Sequence, residues 1–255
     1  LSSLVKIKNL NPKDFGSLIC YPNFDDVEFQ LRIKELNSLN VKAIELTGRK
    51  KAFNFQVLGK GCVSIVVVAL LRGNRRFALK IRRTDADRPD TSHEVEMLRI
   101  ANNVGVGPKL HTYTKNFILM ELVDGYNLPE WLETVRGRDR NKRVREVLYK
   151  ILFSCRRLDL AGLDHGELSH APKHIIIDKN DEPTIIDFEA ASTNRKTSNV
   201  RSICQYLFIG SGVADKIQKI LGKLNKEKLV DRIREYKKEA SEKNFRELLS
   251  AVNIP

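Results

Sequence analysis

The texture of this chain changes at Asp124-Gly125, and that change limits the folds open to it. Before it, β-branched and aromatic residues come in short runs: Val41 to Leu46, Phe53 to Leu58, Cys62 to Leu71 and Arg76 to Arg82. Turn residues such as Thr47-Gly48-Arg49 and Arg72-Gly73-Asn74 divide them. Runs of this length, bounded by glycine and asparagine, predict a meander of antiparallel strands. After it, apolar residues recur at helical spacing over Leu128 to Val135, Asn141 to Leu160, Val200 to Phe208, Val213 to Leu221 and Lys226 through Ala251. Strands first and helices second predict an α+β chain with a β-rich lobe and a mostly helical, compact one.

A few segments run against the local texture. Asp25 to Ser38 reads as an amphipathic helix capped by Asp25 or Asp26, after a short helix or turn within residues 1–22. Thr91 to Asn102 is a second helix, ended by Gly105-Val106-Gly107-Pro108, and Leu110 to Tyr113 with Phe117 to Leu122 is a hairpin. In the helical half, Ile175 to Ile177 and Thr184 to Ile186 form one strand pair. The division is a flanking helix and strand extension over 1–50, a first lobe over 51–123 and a second over 124–255. A cleft where two lobes meet is the usual home of a ligand.

Forty-five Lys and Arg against 32 Asp and Glu leave a formal charge of +13, which favours polyanions such as RNA or ribosomes. A charge-rich solvated surface is the alternative. Arg136 to Arg145 carries basic residues into a helix N-terminus, where the macrodipole disfavours them, and Arg72, Arg75, Arg76, Arg82 and Arg83 form a second basic group. The longest apolar run, Ile65 to Leu71, is too short for a bilayer span. Leu1-Ser2-Ser3-Leu4 has no leader pattern, and Cys20, Cys62, Cys155 and Cys204 show no metal spacing. A cytoplasmic protein with no membrane partner is expected.

Four motifs carry chemistry. Gly59-Lys60-Gly61 joins two strands, and glycines let backbone amides approach an anion; Ser64 and Val66 follow. Lys80 is the last inward residue of the otherwise apolar Phe77-Ala78-Leu79-Lys80-Ile81, so it needs an anionic partner, with Glu94 preferred and Glu96 as the alternative. Glu167, in His165-Gly166-Glu167-Leu168-Ser169, offers a carboxylate to an acceptor hydroxyl, and His165 reads as a structural residue. Asp187 closes the buried run Ile185-Ile186 before Phe188, where a carboxylate suits a hard divalent cation.

In this order the motifs resemble an atypical protein kinase of the RIO-like kind, particularly the archaeal predicted serine/threonine kinases related to that group. The resemblance spans about Phe55 to Ala191 and implies a protein-kinase-like bilobal fold. It implies ATP and Mg2+ or Mn2+ as cofactors, with Gly59, Lys60, Gly61, Ser64, Val66 and Ala78 around the nucleotide. Lys80 and Glu94 would anchor its phosphates, and Met120, Glu121 and Val123 would form the hinge at the adenine. Glu167 falls on the catalytic-loop aspartate and Asp187 on the metal-binding one. Substrates would be Ser or Thr of proteins, itself included, and ribosome assembly would suit the basic surface.

The chain departs from that pattern at several positions. Glu167 replaces Asp, and Pro172 stands where Asn is expected five residues after it. If the following strand fixes the alignment, His174 takes the place of the second metal ligand, and an imidazole favours manganese over magnesium. Lys173 is an alternative, acting on the γ-phosphate directly, and Glu189 in place of Gly adds a carboxylate. The departures leave open a nucleotide-binding pseudokinase or ATPase that docks on RNA or an assembly partner. A small-molecule kinase also remains open.

Overall fold

The structure, a computed structural model, describes residues 3–254, so Leu1, Ser2 and Pro255, including the start of the leader reading, lie outside it. The chain divides into two compact units, Leu1–Glu96 with Lys109–Leu122, and Met97–Pro108 with Val123–Pro255.

The first unit contains β1 (Ser3–Lys6), α1 (Pro12–Ile19), α2 (Asp26–Ser38), β2 (Ala43–Leu46), β3 (Lys50–Ala52), β4 (Phe55–Val57), β5 (Gly59–Lys60), β6 (Ser64–Leu70) and β7 (Arg76–Arg82). It also takes in the start of α3 (Ser92–Asn103), then β8 (Leu110–Tyr113) and β9 (Phe117–Glu121). The main sheet runs β1-β2-β6-β7-β9-β8, with β5 also paired to β6, and its pairings are antiparallel, as the meander predicts. Alternation assigns the faces: Ile65, Val67, Leu79, Ile81, Phe117 and Leu119 enter one core with Leu18 and Leu36 of the N-terminal helices. Asp25 is the cap of α2, its Oδ1 accepting from the Glu28 N–H at 2.7 Å.

Arg32 of α2 is wholly buried and donates four hydrogen bonds. Its Nη1 donates to the carbonyls of Ile19 (2.8 Å) and Arg82 (2.7 Å), its Nη2 to Asn116 Oδ1 (3.1 Å) and its Nε to Glu28 (2.7 Å). A guanidinium is tolerated in a core when nitrogen-bound hydrogens on all three nitrogens find acceptors. Arg32 thus ties α2 and the end of α1 to the end of β7.

The second unit adds β10 (Gly125–Asn127), α4 (Leu128–Thr134), α5 (Arg140–Leu160), β11 (Ile175–Asp178), β12 (Pro183–Ile185), α6 (Asn199–Cys204), α7 (Gly212–Leu221), α8 (Lys226–Lys238) and α9 (Glu242–Ala251). β11 pairs with both β10 and β12. The helical run expected over Lys226 to Ala251 is broken between α8 and α9, because Ser241 caps a new helix by accepting from the Asn244 N–H at 3.3 Å. The Val200 to Phe208 segment likewise passes from α6 into a π-turn over Gln205–Ile209. β1 and β10 are additions that the sequence reading lacks. Among the described residues, no helix is long and apolar enough to cross a membrane.

Candidate active site

The strand registers of the first unit bring one group of candidate residues together. Val66 faces Lys80, which faces Ile118, and Val68 faces Ala78, which faces Met120. Residues in register and two apart share a face, so Val66, Ala78, Lys80 and Met120 lie together on the face opposite the core just described. Lys80 is 5 % exposed, and its Nζ donates to Glu94 Oε1 at 2.6 Å. Glu96 is exposed, so Glu94 is the partner. Glu94 also stands in the first turn of α3, where the helix dipole favours a carboxylate.

The glycine loop sits at the β5–β6 turn, closed by the Gly61 N–H donating to the Ser64 carbonyl at 2.8 Å. A Cβ at Gly59 would lie 3.4 Å from the Val66 side chain and one at Gly61 3.6 Å from the Ser64 carbonyl, both ordinary contacts, and neither glycine has positive φ. The fold does not require glycine at either position. Open backbone there suits close approach by an anion. Ser64 is buried at the start of β6, and Lys60 leans over the Tyr21 ring, 5.3 Å from its centroid. At the hinge positions, the Glu121 N–H donates to the Lys109 carbonyl at 2.9 Å, and Val123 belongs to the second unit.

The second unit holds an acidic group of its own. Asp187 has φ of +70°, a left-handed conformation uncommon outside glycine. The preceding peptide is clamped on both sides: the Ile186 N–H donates to the His174 carbonyl at 2.9 Å, and the Ile186 carbonyl lies 3.1 Å from His165 Nε2. His165 is fully buried, and desolvation pushes its pKa down to about 4, so the ring is neutral. Nε2 therefore carries the proton that bonds Ile186, and Nδ1 is bare and unpartnered. Phe188 packs on the same imidazole with ring centroids 5.1 Å apart. Its other neighbour is Gly107, at φ +82°, where a Cβ would come within 2.7 Å of the phenyl ring. His165 thus acts as the structural residue expected, holding the turn that presents Asp187.

Glu167, His174 and Asp187 converge, each offering a donor atom within 4.8 Å of the others. His174 Nε2 lies 3.5 Å from Glu167 Oε2, and its Nδ1 is buried without a hydrogen-bond partner. Two carboxylates and one imidazole are a fitting donor set for a divalent cation that accepts mixed nitrogen and oxygen ligands. Gly107 and the His165–Ile186 bond are contributors that residue-type reasoning passed over. Two glycines flanking Val106 before Pro108 are a readable signal for the first, but no local signal marks the second.

Two comparisons bear on this arrangement. The RIO domain family matches residues 69–202, more than half of the chain. The match takes in Lys80, Glu94, Glu167, His174 and Asp187 and begins after the glycine loop. A search of curated proteins returns no match. The antiparallel sheet of the first unit and the helices of the second agree with the fold of that family. With its buried lysine–glutamate pair and the carboxylate held after β12, the chain belongs to the RIO-domain family of atypical protein kinases.

Proposed function

We propose that this chain is an ATP-dependent serine/threonine protein kinase that also phosphorylates itself. The observation that carries this reading is the buried Lys80–Glu94 pair on the sheet face shared with Val66, Ala78 and Met120. An ammonium kept there by a carboxylate is suited to phosphate oxygens, and the apolar neighbours are suited to a flat base. Lys80 anchors the phosphates and Glu94 orients it. Asp187 and His174 hold the divalent ion, which supplies charge neutralisation at the phosphates, with manganese preferred on account of the imidazole. Glu167, half-exposed, is the carboxylate that orients the acceptor hydroxyl.

The basic surface serves as a dock for RNA or a ribosomal particle, supported by the +13 charge. Part of the basic helix start is already engaged: Arg143 grips Asp181 through Nε and Nη2 at 2.6 and 2.9 Å, and the same carboxylate accepts from Trp131 Nε1 at 3.0 Å. Arg138 and Lys142 remain exposed for phosphate contacts. All four cysteines are free, which suits a cytoplasmic location.

The test is incubation with γ-labelled ATP in magnesium and then manganese, scoring label on the chain and on a basic protein substrate. Lys80→Ala and Asp187→Ala are expected to abolish transfer, and full activity in both ends the reading. The 3.5 Å contact of His174 with Glu167 supports a second reading, a nucleotide-binding module without transfer. Metal-dependent ATP binding with no turnover under either ion would select it.

A further inference from the structure

Arg83 follows β7 directly and reaches four groups at once. Its backbone N–H donates to the Val63 carbonyl at 2.7 Å, and its Nη1 donates to the Gly61 carbonyl at 3.0 Å. Nε and Nη2 hold Asp85 at 2.8 and 2.6 Å. The guanidinium carbon lies 5.1 Å from the centroid of the Tyr21 ring, which also carries Lys60 Nζ at 5.3 Å. Both distances are within cation–π range. Tyr21 is itself fixed, 6 % exposed and tilted against Phe53 with centroids 5.1 Å apart.

The backbone fastens the same point. The Thr84 N–H donates to the Tyr21 carbonyl at 2.8 Å, and its Oγ1 lies 3.2 Å from the Cys20 and Asn23 carbonyls. Arg32 secures Ile19 to Arg82 just before. Residues 19–23 are therefore bound to residues 82–84, and Arg83 passes that hold on to the glycine loop. The loop needs such a hold. Its glycines satisfy no steric demand of the fold, and glycine backbone is the freest in the chain.

Resting on the nucleotide reading above, we infer that Arg83 and Tyr21 clamp the Gly59–Ser64 loop, so that residues 1–50 set the affinity for the polyphosphate part of the nucleotide. Arg83 is a positioning residue. It orders the loop amides through the Gly61 carbonyl, and the extension is the fixed body against which it works.

The test compares ATP with adenosine, which has the base but no phosphates, by calorimetry on the full chain. Arg83→Gln loses the cation over the ring and the fork to Gly61 and Asp85, and is expected to weaken ATP by about tenfold while adenosine changes by less than about twofold. Tyr21→Leu should behave the same way, and Tyr21→Phe, which keeps the ring, should bind as wild type. Amide exchange over residues 59–64 should quicken in Arg83→Gln. Unchanged ATP affinity in that variant overturns the clamp and leaves the kinase reading intact, because wild type still binds. Equal losses for ATP and adenosine overturn it as well, since they mark general loosening of the unit. Wild type that binds no ATP overturns the nucleotide reading itself, and the clamp with it.

Discussion

Gly107→Ala is the most exacting perturbation of the acidic group in the second unit, because it adds a single methyl group and touches no proposed ligand. Gly107 adopts φ of +82°, and an L-residue forced there costs about 1–2 kcal/mol. The new Cβ would stand 2.7 Å from Phe188 Cε2 and 3.2 Å from Leu98 Cδ1. Phe188 is 1 % exposed and packs on His165, so its ring is confined where the new methyl would enter. Overpacking of that kind costs about 1–3 kcal/mol, and the two contributions together give about 2–5 kcal/mol. Urea unfolding at neutral pH measures the total. The double variant Gly107→Ala with Phe188→Leu, measured against Phe188→Leu alone, separates the parts: the smaller side chain relieves the clash, leaving about 1–2 kcal/mol from the backbone. Phe188 adjoins Asp187, so the single variant should also weaken metal binding, and the double variant should restore part of it. A loss below about 0.5 kcal/mol in Gly107→Ala would refute the reasoning, because it would show that the ring is not confined.

Two further outcomes follow from buried polar groups. His165 is neutral when folded, with a pKa near 4, and protonates at about 6.5 when unfolded, so its contribution is present above about pH 6.5 and lost as pH falls toward 4. That is about 3 kcal/mol between pH 7 and pH 4, and His165→Asn should flatten the stability profile over this window in denaturant titrations. Asp159, raised by burial, favours the folded state as pH falls and so works in the opposite direction. A profile unchanged by the substitution would show that the ring is solvated. Arg32→Leu strands the Ile19 and Arg82 carbonyls and should cost about 3–5 kcal/mol by urea unfolding. A cost below about 1 kcal/mol would mean that water replaces the guanidinium.

The parts legible in the sequence are those whose cause is local. β6 and β7 are long enough for alternation to reveal them, and Lys80 in an apolar strand announces a need for a carboxylate that Glu94 meets. Asp25 before an amphipathic run declares a helix start in the same way. β1 and β10 escape notice because Ser3–Lys6 and Gly125–Asn127 lack an apolar pattern and become strands only by pairing with β2 and β11. The contact of Arg83 with Tyr21 escapes for a related reason: both look like ordinary surface residues until the chain returns. The convergence of His174 with Glu167 was legible only in part, since the longer loop over Leu168–Lys173 hides which residue reaches the carboxylate. Sequence periodicity reports burial, whereas these contacts depend on how far a connection reaches.

The most direct test of the central claim is a crystal structure of the chain with a non-hydrolysable ATP analogue and manganese. The account predicts the triphosphate with Lys80 Nζ within hydrogen-bond reach of its oxygens, and the ion on Asp187 and His174. A nucleotide bound away from Lys80, or an ion that ignores Asp187, would contradict it.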